Sequence, residues 1–355
     1  VAVSGRMRWG NALFAALGFA IKPHFLIFPV LAEGYVLLRR GVGPALGDAV
    51  PWAMGGVFVL YALFVLLAMP DYLTFVVPLA QHNYLQLGLG PWNVLLHSQL
   101  TIPAGLFLPL LLIAFALRKS HLSRLVALAG IGSILQAVAQ GKGWPYHVLP
   151  TEICLLLLGG TLLCDMLDRP KADRARAWTA GAGTGFLLLC YVLAALIRPT
   201  FYFRGEFEDG RPARLLAEIE KYAPGQPVLV LSPGVYPFFP VLNYAGSIMA
   251  TRFMTMWVLQ GAYATCEPGA PRYRKPEEMD SAEAFVYESV AQDIDRIKPR
   301  LMIVDRYPGI PVCEDRDFNF LDYFRQHPMF EANWEQYLYI GNLDGELFLY
   351  LRQPE

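Results

Sequence analysis

Charge is what this sequence has least of. Asp, Glu, Lys and Arg make up 17% of its 355 residues, against about 25% in an ordinary soluble domain. The shortfall lies almost wholly before Arg198, so that part of the chain is expected to avoid water. There is no basic run and the net charge is −1, which argues against nucleic acid as a partner. The polar C-terminal part lacks a GxGxxG turn, a Walker loop and zinc-ligand spacing. No cofactor is identified on that basis, no metal ligands are assigned, and a divalent metal stays open. Internal repeats and low-complexity tracts are missing as well. The chain opens on Val1 with no signal peptide ahead of its first apolar stretch, which predicts a longer parent protein.

What is present before Arg198 is apolar length. Crossing the hydrocarbon of a bilayer, about 30 Å, takes on the order of 20 apolar residues in a helix. Residues 52–69 and 181–197 each predict one crossing, and 102–117 a slightly short one. Residues 124–166 are too long for one helix and are interrupted by Gln140-Gly-Lys-Gly-Trp-Pro-Tyr-His147, which reads as a polar corner between two helices. Residues 11–38, broken at Lys22-Pro23-His24, predict a similar hairpin of short helices. The rival is one kinked helix, since proline bends helices without always ending them. The expected fold class is an α-helical membrane bundle of about seven transmembrane helices over 1–197. A small α/β extracytoplasmic domain over 198–355 follows it.

Lys and Arg set the sidedness. Arg6, Arg8, Arg39, Arg40, Arg118, Lys119, Arg124 and the four basic residues between 169 and 176 share one face in the hairpin reading. The opposite face receives Lys22 and Lys142, and residues 70–101 carry no Lys or Arg. The positive-inside rule makes the crowded face cytoplasmic. The expected location is a bacterial-type inner (plasma) membrane, crossed several times, with the lipid bilayer as first partner.

After Arg198 the pattern changes. Residues 212–222 predict a helix with proline near its start, stopped by Pro224-Gly225. Residues 227–232 (PVLVLS) and 300–305 (RLMIVD) read as short buried strands. Asp280 with Glu283 reads as a capping box for a helix carrying Val286, Val290, Ile294 and Ile297 on one stripe. Residues 336–340 and 346–351 read as a hairpin across Asn342 to Gly345. Cys154, Cys164 and Cys190 fall in helices, where a thiol usually only packs. Cys266 and Cys313 lie in loops of the exported part, and an exported pair favours a disulfide over two free thiols.

Four of six histidines (His24, His82, His97 and His147) fall toward the outer edge of the bundle, as do its two outward lysines. Lys22 and Lys142 sit at the two hairpin corners. Together with His24, His82, His147, Trp144 and Tyr146 they form a candidate phosphate- and lipid-binding set. Snorkelling lysines and an aromatic belt account for the same residues without a ligand. Asp71 and Glu152 are the carboxylates considered for general-base work. Asp71 also suits a helix cap, and Glu33 suits the cytoplasmic interface.

Ala20-Ile-Lys-Pro23, the apolar hairpin closing on Arg39-Arg40, and Lys142-Gly-Trp-Pro-Tyr-His147 with Pro150 resemble the GT-C superfamily of membrane glycosyltransferases. That resemblance covers most of the chain in topology and rests on short motifs. It implies a polyprenyl-phosphate-linked sugar as donor and a glycan or lipid acceptor, with transfer at the outer membrane face in cell-envelope glycan assembly. It implies that Lys22, Lys142 and His147, with His82, steady the departing lipid phosphate. Members usually have more helices and a catalytic acid in a first outer loop near the N-terminus. A chain opening at Val1 departs from that pattern, so the resemblance predicts that the acid lies outside this sequence. An O-antigen-type ligase or polymerase is the enzymatic alternative, although residues 70–101 lack its usual arginines. A transporter would need broken helices in corresponding halves, and a non-catalytic scaffold would bind a partner through the exported domain.

Overall fold

The computed structural model describes residues 5–116, 121–167, 181–193, 210–266 and 268–354. The chain divides into two compact units. One joins Val1–Thr74 to Gly88–Leu196, and the other joins Phe75–Leu87 to Ile197–Glu355. The boundary near residue 197 follows the change in composition. The transfer of Phe75–Leu87 to the second unit does not.

The first unit is helical: α1 (Gly5–Ile21), α2 (Ile27–Arg40), α3 (Ala49–Ala68), α4 (Ser98–Ala116), α5 (His121–Gln140), α6 (Pro145–Leu167) and α7 (Gly181–Leu193). Among the described residues, four helices are long and apolar enough to cross a membrane, namely Ala49–Ala68, Gln99–Ala116, His121–Gln140 and Pro145–Met166. That measure shows four of the seven expected crossings; helices stand at the other three places, α1, α2 and α7, and are shorter among the described residues. The 14 residues of α2 rise about 21 Å, and the apolar parts of α1 and α7 are Trp9–Ala20 and Gly181–Leu193. The rest of the last expected span lies outside the described residues, as do the basic residues between 169 and 176.

Pro23 ends α1, and one 3₁₀ turn, Pro23–Leu26, leads into α2. The two helices take different partners: α1 packs on α3, and α2 packs on α5. A Cβ on Gly132 of α5 would meet Ile27, Phe28 and Leu31, while Tyr35 Oη pairs with His121 Nδ1 at 2.8 Å. The two sets of contacts make α2 antiparallel to α5. Helices α5 and α6 form the hairpin expected around the polar corner. Its register is fixed by Ser123 Oγ donating to Asp165 Oδ2 at 2.6 Å and by Ser133 meeting Cys154. Phe107 of α4 points its ring tip at Gly130, where an added Cβ would sit 2.1 Å from it. That seam and Leu155, Leu158 and Leu162 form the bundle core. Leu60, Leu67, Leu112 and Leu157 face outward, an apolar surface compatible with lipid.

Residues 70–101, expected as a loop, are largely helical. Tyr72–Val76 and Ala80–Tyr84 are π-helical turns around Val77–Leu79, and Pro91–Leu96 is a short α-helix. Pro78 has no N–H to close an α-helical bond, and widened turns accommodate that loss.

The second unit is built on a four-stranded sheet in the order β1-β2-β4-β3. Its strands are β1 (Val228–Leu231), β2 (Leu301–Asp305), β3 (Tyr337–Leu343) and β4 (Leu347–Arg352). Strands β1 and β2 are parallel, and β4 is antiparallel to both β2 and β3. On one face Val228, Val230, Leu301 and Ile303 pack on Leu215 and Ile219 of α8 (Arg211–Tyr222). On the other face Leu229, Leu231, Met302 and Val304 pack with Val286, Val290 and Ile294. These last belong to the long helix Ser281–Ile297, here α10, which follows the shorter α9 (Trp257–Ala262). Burial on both faces explains why β1 and β2 read as unbroken apolar runs. The hairpin turns through Asp344 and Gly345, both at positive φ (57° and 70°).

The expected capping box is half made. Asp280 Oδ1 accepts from the Ala282 and Glu283 N–H groups at 2.9 and 2.8 Å. Glu283 does not return to the Asp280 backbone. It turns inward, to accept from the Tyr263 and Tyr323 hydroxyls at 2.6 and 3.1 Å and from Arg274 Nη1 at 2.8 Å. Three interior donors outcompete one exposed N–H. Cys266 and Cys313 are joined by a disulfide with Cα atoms 5.4 Å apart. The other three cysteines are free.

Candidate functional site

The α5–α6 corner is shaped by glycine. Gly141 and Gly143 have φ of 63° and 69°, a left-handed region that glycine enters without a Cβ penalty. Their open faces meet protein: a Cβ on Gly141 would touch the Gly90–Pro91 backbone, and one on Gly143 would strike Leu89. Gly90 N–H donates to Gly141 O at 3.0 Å. Gly88 lies so close that its Cβ would fall 2.5 Å from Gly141 O. The close backbone approach at 141 and 143 serves a second loop. Gly88-Leu-Gly-Pro91 is a part of the corner that sequence reasoning missed. Its paired glycines were the available signal.

The rings and cations gather on this base. Trp144, Tyr146 and His147 form one cluster, with ring centroids 5.8, 5.5 and 4.3 Å apart. Lys142 Nζ lies 5.9 Å from the Trp144 ring centroid. Lys22, from the turn between α1 and α2, places its Nζ 5.4 Å from the Tyr146 ring and 6.0 Å from Phe25. The positive field of Lys22, His24 and Lys142 reaches His147. Two corners 120 residues apart in sequence thus share one aromatic cluster. Its ring faces attract both ammonium groups by cation–π interaction, worth about 0.5–2 kcal/mol each depending on desolvation.

Burial sharpens the electrostatics. Lys142 and His147 are buried, while Lys22, His24 and Tyr146 are exposed. Loss of water pulls the Lys142 ammonium below the ordinary lysine value. His24, although its side chain reaches solvent, is also held below the usual histidine value, first by the partial loss of water around its ring and then by Lys22. Nδ1 of His147 is a buried nitrogen without a hydrogen-bond partner. A partly dehydrated cation with more positive charge beside it is well suited to receive an anion.

The remaining candidates lie elsewhere. His82 belongs to the second unit, where its Nδ1 pairs with Pro78 O at 2.9 Å. Asp71 is exposed in the first turn of the helical run that follows Met69. Glu152 of α6 is engaged by Tyr191 of α7, so it joins two helices. Neither carboxylate is shown at the corner, and no general base is assigned. Among the described residues no group of three or more His, Cys, Asp or Glu is placed to hold a metal ion. No protein-family model, no curated protein and no solved structure matches the chain.

Proposed function

We propose that this chain is a membrane glycosyltransferase of the GT-C type. It takes a polyprenyl-phosphate-linked sugar as donor and transfers the sugar to a glycan or lipid acceptor at the extracytoplasmic face. The observation that carries the reading is the meeting of Lys22 and Lys142 on the Tyr146–Trp144–His147 cluster. Cations at a corner between helices suit the phosphate that leaves when the sugar is transferred. The aromatic rings suit the sugar or the first isoprene units. This role needs fixed charge and shape, which the glycine-based corner supplies.

A hydrogen bond to a charged group contributes about 1.5–3 kcal/mol, so Lys142→Ala should weaken donor binding by about ten- to a hundred-fold. Photo-crosslinking with a short-chain polyprenyl phosphate in membranes should label residues 142–147 and lose that label in the variant. The Lys142→Ala protein should keep its melting midpoint. An unchanged crosslink yield would leave the corner as an aromatic belt with snorkelling lysines, and the scaffold reading would then stand.

The outer placement of the second unit is part of the same proposal. It is supported by the charge asymmetry and by the membership of Phe75–Leu87 in that unit. A segment without Lys or Arg is expected outside, and the domain it joins shares its side. Alkaline phosphatase fused after Pro199 should be active, and fused after Arg174 it should be inactive. The opposite pattern would overturn the orientation.

A further inference from the structure

Phe75–Leu87 completes a polar cleft in the second unit. The segment is anchored by its rings: Phe75 meets Phe285 at 5.1 Å and Tyr84 meets Trp257 at 5.9 Å between centroids. It is also anchored by backbone, since a Cβ on Gly261 of α9 would fall 2.5 Å from Asn83 Cα and O. That close seat holds His82 and Gln86 at the rim of a cavity of about 390 Å³. Thr265, Arg274, Glu278 and Asp280 line its other side. Thr265, Arg274 and Glu278 also border a second space of about 330 Å³ beside Tyr273 and Arg272. Small-molecule sites commonly enclose about 300–1,000 Å³.

The hydrogen-bonding groups at the rim are only partly spent. Asp280 uses Oδ1 on the α10 N-terminus. Glu278 uses Oε2 on the Lys275 N–H. His82 uses Nδ1 on Pro78 O. Each of the three keeps a second atom of its carboxylate or ring for a ligand, and the exposed Gln86 and Thr265 add an amide and a hydroxyl. Arg274 spends Nη1 on Glu283 and Nη2 on Ala262 O, which pairs its charge with a buried carboxylate. With that charge answered by Glu283, the 390 Å³ cleft is left with the negative charge of Glu278 and Asp280.

We infer that this cleft is a saccharide-binding site, selective for neutral or amino-bearing sugars over acidic ones. Several convergent groups that both donate and accept match a polyhydroxylated ligand, and two carboxylates repel an anionic one. As an acceptor site it rests on the glycosyltransferase reading. Its ligand chemistry does not, because none of its residues belongs to the Lys22–Lys142 corner.

The test is saturation-transfer NMR on the full chain in detergent, with glucosamine, N-acetylglucosamine and glucuronate as probes. The first two should respond, with glucuronate at a tenth of their signal or less. Gln86→Ala with Thr265→Ala, both at exposed positions, should cut the response at least fivefold without moving the melting midpoint. Glu278→Gln keeps the shape of the rim, removes one negative charge and should raise the glucuronate signal. Equal responses from glucuronate and glucosamine, no saccharide response, or a double variant that binds like the parent would overturn the site. A Lys142→Ala protein should bind the sugars normally, so failure of the phosphate corner and failure of this cleft are separable.

Discussion

Replacing Glu283 by alanine should destabilise the second unit by about 3–5 kcal/mol, the usual cost of removing one partner from a buried ion pair. The Glu283 carboxylate is fully buried and collects the Tyr263 hydroxyl, the Tyr323 hydroxyl and Arg274. Alanine would leave a half-buried guanidinium and two buried phenols without their acceptor. Those phenols have no alternative as anions: burial first, and then Glu283 itself, push both far above the ordinary tyrosine value. Glu283→Gln keeps an acceptor oxygen in place and should cost less than half as much. Arg274→Met in the Glu283→Ala background should recover part of the loss, because it removes the orphaned cation. Urea unfolding followed by tyrosine and tryptophan fluorescence, with protease resistance of the second unit as a parallel readout, measures all three. An unchanged midpoint for Glu283→Ala would mean that the network is ornamental to folding. The loop carrying Arg274 also lines the saccharide cleft, so the alanine variant should lose sugar binding before it unfolds.

How far the sequence disclosed this arrangement depends on whether the cause of each element was local. Strands β1 and β2 were legible because burial on both faces forces continuous apolar residues. The β3–β4 turn was legible because Asp344-Gly345 supplies two left-handed positions. The α5–α6 corner announced itself as a polar interruption in a long apolar run. What stayed hidden has partners remote in sequence. Nothing in Phe75–Leu87 signals that it leaves the bundle, since its seat is made by Gly261, Trp257 and Phe285. Helix α9 has six residues, too few to show a helical period. The span count turns on length: an apolar run measures potential length, and α1 and α2, separated at Pro23 as expected, are each shorter than the four long helices. Glu283 carried the right residue type for a capping box, and only the interior tyrosines explain why it does something else.

Cleaving the Cys266–Cys313 disulfide should cost about 4 kcal/mol in the chain-entropy model, given the 47-residue separation. The Cα separation of 5.4 Å lies within the usual range for a bridge, about 4.4–6.8 Å, so no native distortion is needed to close it. The bridge also joins two loops already tied together. Arg272 Nη2 donates to Pro311 O and Arg316 Nη2 to Ala270 O, both at 2.8 Å, and Gly269 N–H donates to Glu314 Oε1 at 3.1 Å. Those bonds survive reduction, so the thiols should stay adjacent and the loss should appear mainly as a lower urea midpoint. Cys266→Ser with Cys313→Ser should reproduce the reduced protein. The cost should be felt at the 330 Å³ space, which both cysteines line and which shares Thr265, Arg274 and Glu278 with the saccharide cleft, so sugar binding should weaken on reduction. Two alkylatable thiols in the native protein, or a midpoint indifferent to dithiothreitol, would overturn the prediction. The same chemistry reads the orientation independently of any fusion. A bridge of this kind is rare in the reducing cytoplasm and persists outside it, so membrane-permeant N-ethylmaleimide applied to intact cells should leave Cys266 and Cys313 unmodified. A cysteine placed in a basic cytoplasmic segment, such as Arg174→Cys, serves as the internal control for reagent entry. Labelling of Cys266 and Cys313 in intact cells would return the second unit to the cytoplasmic side and remove the outer-face acceptor from the mechanism.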